Sequence, residues 1–321
     1  MKKWRNWKMI EIKNLLNNDK KIDTQPRTSF LKRKLKILLT LQKGSFKGRE
    51  GNAYEISDLA MSVRVEKTGA PDFGKASAVI YGLPLDVMEQ LSTLCMHPLY
   101  VRRNYINIYA GDEYNGYNQI YAGTITKASG DFNSAPDVKF NIESQIGFFG
   151  AVTAQGANVI SGSQSASTFI EQQAKKIGFT FKNEGVTGTV KNAVFEGSPI
   201  EQARQCAKQI GAELILDDET MILVSNGASR KGNAVLLNAN SGLLGYPTMT
   251  QNGIEIRAIF NPNFRFAGLI KLETLVPKCS GAWRIVKMSH TLDSNLPSGG
   301  KWETQITAYY PHLSGAVGKF I

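Results

Sequence analysis

The sequence predicts a mainly β chain of α+β character, ordered as β domain, α/β module, β domain. Three observations predict it. Short runs with apolar residues at every second position recur towards both ends, the mark of half-buried strands. The connections between them are rich in turn residues, as antiparallel neighbours require. In the middle the period becomes helical, behind two capping-box patterns.

The alternation begins after Pro26, with Leu35, Ile37, Leu39 and Leu41 on one side and Lys36 and Thr40 on the other. Residues 57–66 are the clearest case. Leu59, Met61, Val63 and Val65 occupy one face, and Asp58, Ser62, Arg64 and Glu66 the other. Further strands are expected at Ala76–Tyr81, Tyr105–Ala110, Gln119–Thr126 and Val138–Ser144, with turns at Gly111-Asp112 and Asn115-Gly116. Regular short strands read as an antiparallel barrel or sandwich. A helix over residues 84–95 interrupts them. Pro84 suits a first turn, Leu85, Met88, Leu91 and Leu94 recur at threes, and His97-Pro98 stops the run.

Residues 150–166 are small and polar and read as a linker. Thr168 and Glu171 then have the spacing at which a hydroxyl and a carboxylate satisfy free amides of a first helical turn. Ser198 and Glu201 repeat it, with Pro199 at the first helical position. Both helices run into a glycine, Gly178 and Gly211, placed to end them in the left-handed conformation. A strand follows each helix, the second within a hairpin over Glu213–Val224, which makes a weak internal repeat. From Gly245 the strand period returns. Ile254, Ile256, Ala258 and Phe260 share a face, and Leu269–Glu273, Trp283–Leu292 and Trp302–Tyr310 follow. The expected division is a basic arm (1–28), a first β domain (29–150), the α/β module (151–240) and a second β domain with the C-terminal tail (241–321).

The chain carries 38 Lys and Arg against 27 Asp and Glu, a formal charge of +11. Residues 1–50 hold 15 of the basic and 4 of the acidic side chains, so residues 51–321 hold 23 of each. The body is therefore neutral and has no electrostatic reason to hold a polyanion. A like-charged arm reads as a solvated tail. Its Trp4, Trp7, Ile10, Ile12, Leu15 and Leu16 also fit a short amphipathic helix for a membrane surface or a partner's groove. No apolar run approaches the roughly 18 residues of a transmembrane helix, and the N-terminus lacks the apolar segment of a signal peptide. No stable membrane insertion is expected.

The chemistry-bearing residues are sparse. Cys95, Cys206 and Cys279 are scattered, without the pairing of a disulfide framework or a zinc site. Cys206 falls among the apolar positions of a helix and reads as a buried thiol. His97, His290 and His312 have no ligand-spaced neighbours and read as structural. Asp217-Asp218-Glu219 sits at a hairpin turn, where acidic residues are ordinary. Glu143 and Asp137 could be posed as a glycosidase pair, but nothing in the sequence fixes their separation. No phosphate-binding loop or nucleophile elbow occurs. No catalytic, metal or cofactor site is expected, and the surfaces of the chain are its function.

The order of motifs resembles the baseplate hub proteins of Mu-type contractile-tailed bacteriophages, distant relatives of the hub of the T-even phages. Leu38–Phe46, Leu59–Gly82, Tyr121–Ile125, Ser198–Ala212, Gly245–Leu272 and the closing Lys301–Thr304 carry the resemblance, which spans about residues 30–312 and excludes the arm. It implies two similar antiparallel β-barrel domains of tube type with the smaller α/β module between them. It also implies a homotrimer whose six barrels match the sixfold tail tube on one face and seat a threefold spike on the other. Its partners would be further copies of itself, the tail tube protein, the central spike and other baseplate proteins. Genomic DNA would pass through without specific binding. The place of action would be the virion's tail baseplate, assembled in the host cytoplasm. The outward charges Arg64, Glu66, Arg257 and Arg265 are the candidate subunit or tube interface. The competing reading, a cell-wall-degrading or effector enzyme carried on a spike-like protein, lacks an acid/base or metal constellation.

Overall fold

The computed structural model describes residues 32–70, 72–93 and 103–311. The arm, Leu94, Cys95, His97 and His312 lie outside them. Period-two segments form strands where expected. The first region contributes β1 (Arg33–Thr40), β2 (Ala53–Ile56), β3 (Met61–Thr68), β4 (Lys75–Tyr81), β5 (Tyr105–Asp112), β6 (Gly116–Asp131) and β7 (Lys139–Gln145). The last region contributes β13 (Val235–Leu237), β14 (Thr248–Met249), β15 (Gly253–Ile259), β16 (Leu269–Leu272), β17 (Gly281–Ser294) and β18 (Trp302–Tyr309). Met61, Val63 and Val65 are buried and Arg64 is exposed, so the inside–outside register read from residues 57–66 is the one observed.

Both regions belong to one 13-stranded sheet, ordered β14-β15-β18-β17-β3-β4-β7-β6-β5-β1-β2, with β16 beside the first part of β17 and β13 beside β16. The join is the antiparallel β3–β17 ladder, which runs from Lys287 opposite Thr68 to Ser294 opposite Met61. This corrects the expectation of closed barrels. Among the described residues the hydrogen-bonded path ends at β14 and β2. The reason lies in which strand edges are free. β17 is paired to β18 on one side and to β3 on the other, so β1 finds no backbone partner there. It closes the gap with side chains: the Arg33 guanidinium lies 5.9 Å from the Trp302 ring centroid, and Leu292, Trp302 and Phe260 pack into the first core. A second core lies under β13 and β15–β18.

The middle segment contains β8 (Asn158–Ser165), β9 (Thr180–Asn183), β10 (Thr189–Phe195), β11 (Ala212–Asp217) and β12 (Thr220–Ser225). Its helices are α2 (Phe148–Val152), α3 (Ala166–Lys176) and α4 (Pro199–Gln209); α1 (Leu85–Leu91) is the helix between β4 and β5. β8 pairs with β10, and β12 lies between β11 and β9. The three-stranded sheet is a middle layer. Ile215, Ile222 and Val224 enter the second core, while Leu214, Met221 and Leu223 meet α3 and α4 in a third.

Several local expectations are corrected. Residues 158–165, read as linker, form β8; one side of this strand is solvated, so its composition is polar. α3 begins at Ala166, ahead of Thr168, because the Ala166 amide donates to the Gly188 carbonyl at 3.0 Å and the ladder, not a capping side chain, fixes the helix start. α1 stops at Leu91, short of the expected span. There the Ser92 hydroxyl donates to the Met88 carbonyl at 2.6 Å and the Thr93 amide to the Ala128 carbonyl at 2.9 Å. The α4 start signal holds, with the Ser198 hydroxyl accepting from the Glu201 amide at 3.3 Å, and both expected helix-ending glycines, Gly178 after α3 and Gly211 after α4, are left-handed at φ 79° and 68°.

Candidate functional site

The continuous sheet has one polar face, and register places three of the four candidate interface residues on it. One row of opposed positions runs Glu303, Thr291, Arg64, Ser77, Glu143 and Lys127, across β18, β17, β3, β4, β7 and β6. The neighbouring row runs Arg257, Gln305, Ser289, Glu66, Lys75 and Gln145. Arg64 binds Glu66 at 2.7 Å, Arg257 binds Glu303 at 2.8 Å and Lys127 binds Glu143 at 3.5 Å. Arg265 is exposed on the turn between β15 and β16, outside the ladders, where its carbonyl accepts from the Gly268 amide at 2.9 Å.

A buried ion network fastens the β11–β12 hairpin to this framework. Lys67 lies at a core-facing position of β3, and its ammonium reaches Asp217 Oδ1 at 2.6 Å and Asp218 Oδ1 at 3.1 Å. Arg230 meets the other oxygen of Asp217 at 2.6 Å, and the Ala122 amide of β6 donates to Asp218 at 3.1 Å. Arg284 of β17 pairs with Glu213 of β11 at 2.6 Å. Burial pulls the Lys67 pKa down, yet its two carboxylates more than offset that and hold it above the usual lysine value. Burial would raise Asp217, but Lys67 and Arg230 hold it well below the usual carboxylate range. Asp218 goes up: burial dominates, and the Asp217 charge adds to it against the pull of Lys67.

By sequence alone Asp217-Asp218 is an ordinary turn, and no local motif marks Lys67, Arg230, Glu213 or Arg284. One signal was available. Lys67 follows Met61, Val63 and Val65 at the same parity, so a lysine stands where the alternation asks for an apolar residue. Its partners arrive from distant segments that periodicity does not link.

The remaining chemistry is structural in form. His290 is buried, with Nδ1 at 2.8 Å from the Thr304 hydroxyl and its ring edge-on to Phe260. Burial, with Lys67 nearby, lowers its pKa to about 3. Cys206 is buried, and burial pushes its thiol up to about 12. Glu143 is engaged with Lys127 on the open sheet face. Among the described residues no group of three or more His, Cys, Asp or Glu is placed to hold a metal ion. No helix among them is long and apolar enough to cross a membrane.

The described chain is thus a long, mainly antiparallel sheet that carries a two-helix module and presents a surface of paired charges. The same fold occurs in the 43 kDa tail protein of prophage MuSo2 from Shewanella oneidensis (10% identity, TM-score 0.57, covering 87% of this chain and 98% of that one). It also occurs in a tail protein from Neisseria meningitidis MC58 (8% identity, TM-score 0.59, 86% and 96% covered). The half-lidded Francisella PdpA-VgrG complex contains it as well (7% identity, TM-score 0.52), where the match covers 89% of this chain and 59% of that one. No curated protein matches the chain by sequence. The family model for Baseplate hub gp41 matches residues 35–296, and the chain belongs to that family.

Proposed function

We propose that the chain is the subunit of a homotrimeric baseplate hub that adapts a sixfold tail tube to a threefold spike and initiates tube assembly. Residues 29–150 and 241–321 would supply the two tube-type β units, open within one subunit, and residues 151–240 the module towards spike or periphery. The observation that carries this reading is the family match over residues 35–296 on a framework whose first and last β regions share one sheet. Heterologous contacts between three copies close a ring and cap its growth.

On this reading the partners are two further copies, the tube protein, the spike and neighbouring baseplate proteins, and the chain works in the tail baseplate after assembly in the host cytoplasm. It has no catalytic role and no stable membrane insertion. Arg64, Glu66, Arg257 and Arg265 take part in subunit or tube contacts. Light scattering of the full-length protein tests the trimer, and electron microscopy of its particles tests the pseudo-sixfold ring. A monomer at every concentration that supports tail assembly would overturn the proposal.

A further inference from the structure

Lys67 is a primary amine held out of water against two carboxyl groups. Its side chain is 10% exposed, and those of Asp217 and Asp218 are 16% and 21% exposed. Its Nζ lies 2.6 Å from Asp217 Oδ1 and 3.1 Å from Asp218 Oδ1. Ala122, whose amide donates to Asp218 Oδ1 at 3.1 Å, is buried, as are Tyr121 beside it and His290 near Lys67. In each of the other lysine–carboxylate pairs among the described residues, at least one partner's side chain is 48% exposed or more. Stability does not call for this arrangement, since a buried ion network gains little over apolar packing of the same volume. The combination of a nucleophile, two carboxyl groups and little water is a set of reactants.

We propose that this is a self-modification site, where the Lys67 amine condenses with the Asp218 carboxyl to form an isopeptide bond within the chain, while Asp217 holds the amine and relays its proton. The two carboxyl groups are set apart by their surroundings. Burial, with the Asp217 charge beside it, raises the Asp218 pKa, so Asp218 is the better placed to take a proton and become the uncharged acid that a nucleophile can attack. Asp217 stays ionised, because Lys67 and Arg230 outweigh its burial. The resting arrangement is ionic, so the bond forms through the minor neutral state and is a slow maturation step. Its atoms balance without a co-reactant. One ammonium proton passes to the Asp218 carboxyl. The amine attacks Cγ, and the Ala122 amide stabilises the charge that develops on Oδ1. Asp217 takes the second proton from nitrogen and passes it to the departing hydroxyl. One N–C bond forms, one C–O bond breaks, and an ammonium and a carboxylate become an amide and one water. Holding the groups together is worth an effective concentration of about 10⁵–10⁸ M when they are well oriented, and the scarcity of water protects the product from hydrolysis. The bond ties β3, the strand that joins the two halves of the sheet, to the tip of the β11–β12 hairpin across 151 positions.

The test is the intact mass of the full-length chain, purified folded, aged until its mass is constant, then unfolded and reduced. The parent is expected to weigh less than its sequence by one water. Trypsin should then release a branched peptide in which residues 65–75 are joined to residues 209–230, with Lys67 left uncut. Lys67→Arg keeps the positive charge but not the amine, and Asp218→Ala removes the carboxyl, so both should keep the full mass of their sequences. Asp217→Asn, checked for folding by thermal melting, should be mostly unbonded when freshly purified. A folded, aged parent of full mass that yields only the two linear peptides overturns the proposal. So does an equal loss of water in Lys67→Arg, which would place the dehydration elsewhere. A fragment spectrum that puts the bond on Asp217, or a fully bonded Asp217→Asn, overturns the roles given to the two carboxyl groups.

Discussion

Lys67 and Asp217 meet at 2.6 Å although 150 positions separate them in the chain. The contact ties the strand that joins the two halves of the sheet to the tip of a hairpin from the middle segment. Asp217 is shared with Arg230, and Lys67 with Asp218, so four charged groups form one buried, interdependent unit.

Removing one member of such a unit leaves a buried charge without compensation, which costs about 3–5 kcal/mol. Lys67→Met is therefore expected to lower stability by that amount in denaturant titrations. The double variant Lys67→Met with Asp218→Asn should be more stable than Lys67→Met alone, because the amide removes the like-charge repulsion between Asp217 and Asp218. A double variant no better than the single would show that Lys67 does not hold the two carboxylates together.

His290 gives a pH dependence with a defined sign. Its pKa is lowered from 6.5 to about 3 by burial and by Lys67. The folded state thus keeps the ring neutral while the unfolded state takes up a proton below pH 6.5. Stability from this group is fully present above 6.5 and is lost as the pH falls towards 3, at about 1.4 kcal/mol per pH unit in between. The depressed Asp217 pKa acts in the same direction, but only below about pH 4, where the unfolded carboxyl protonates. Between pH 7 and 4.5 Asp218 acts in the opposite sense, since its raised pKa lets the folded state bind a proton as the pH falls, so the histidine's part is the difference in urea-midpoint slope between parent and variant. His290→Gln should flatten that slope, and an unchanged slope in the variant would remove His290 as its source.

How much of this was legible in the sequence depends on whether the cause was local. Met61, Val63 and Val65 announce their face by alternation, and Pro199 with Ser198 announces a helix start, because these signals span a few residues. The continuity of the sheet was not legible. It depends on β17 offering one edge to its sequence neighbour β18 and the other to the distant β3, and nothing near Lys287 or Thr68 records that choice. β8 was missed for a related reason: its Gly162, Ser163 and Gln164 carry no apolar stripe, and the strand exists because β10 lies beside it. Of the candidate surface, the outward parity of Arg64 and Glu66 was readable. That Arg257 shares their face follows only from the β3–β17 ladder.

Gln202, fully buried on α4, anchors the segment leading into β8. Its amide donates to the carbonyls of Gly156 and Gly197, both at 3.0 Å, and its oxygen accepts from Asn158. Gln202→Leu keeps the volume but strands these partners, at an expected cost of about 2–4 kcal/mol. Hydrogen exchange should accelerate around residues 156–158 before the β11–β12 hairpin responds. Uniform acceleration, or none, would mean that the amide does not fix this segment locally.

The strand that joins the sheet also separates folding from assembly. Val63 is 1% exposed in the first core, while Arg64, the next residue, has its side chain 59% exposed beside Glu66. A carboxylate at position 63 would be buried without a partner and cost several kcal/mol, whereas a surface exchange at position 64 stays near 0.5 kcal/mol. Val63→Asp is expected to abolish cooperative thermal melting. Arg64→Asp should melt within a few degrees of the parent, because the solvated carboxylate it places beside Glu66 is screened. Its effect belongs to assembly: if Arg64 contacts a neighbouring subunit or tube ring, intact tails counted by electron microscopy fall while the purified protein stays folded. The pair discriminates because the two sites are adjacent in sequence and opposite in orientation. A slip of one residue in the β3 ladders would exchange the phenotypes, leaving Val63→Asp folded and Arg64→Asp collapsed, and the face assigned to the candidate interface would then be wrong along the whole strand.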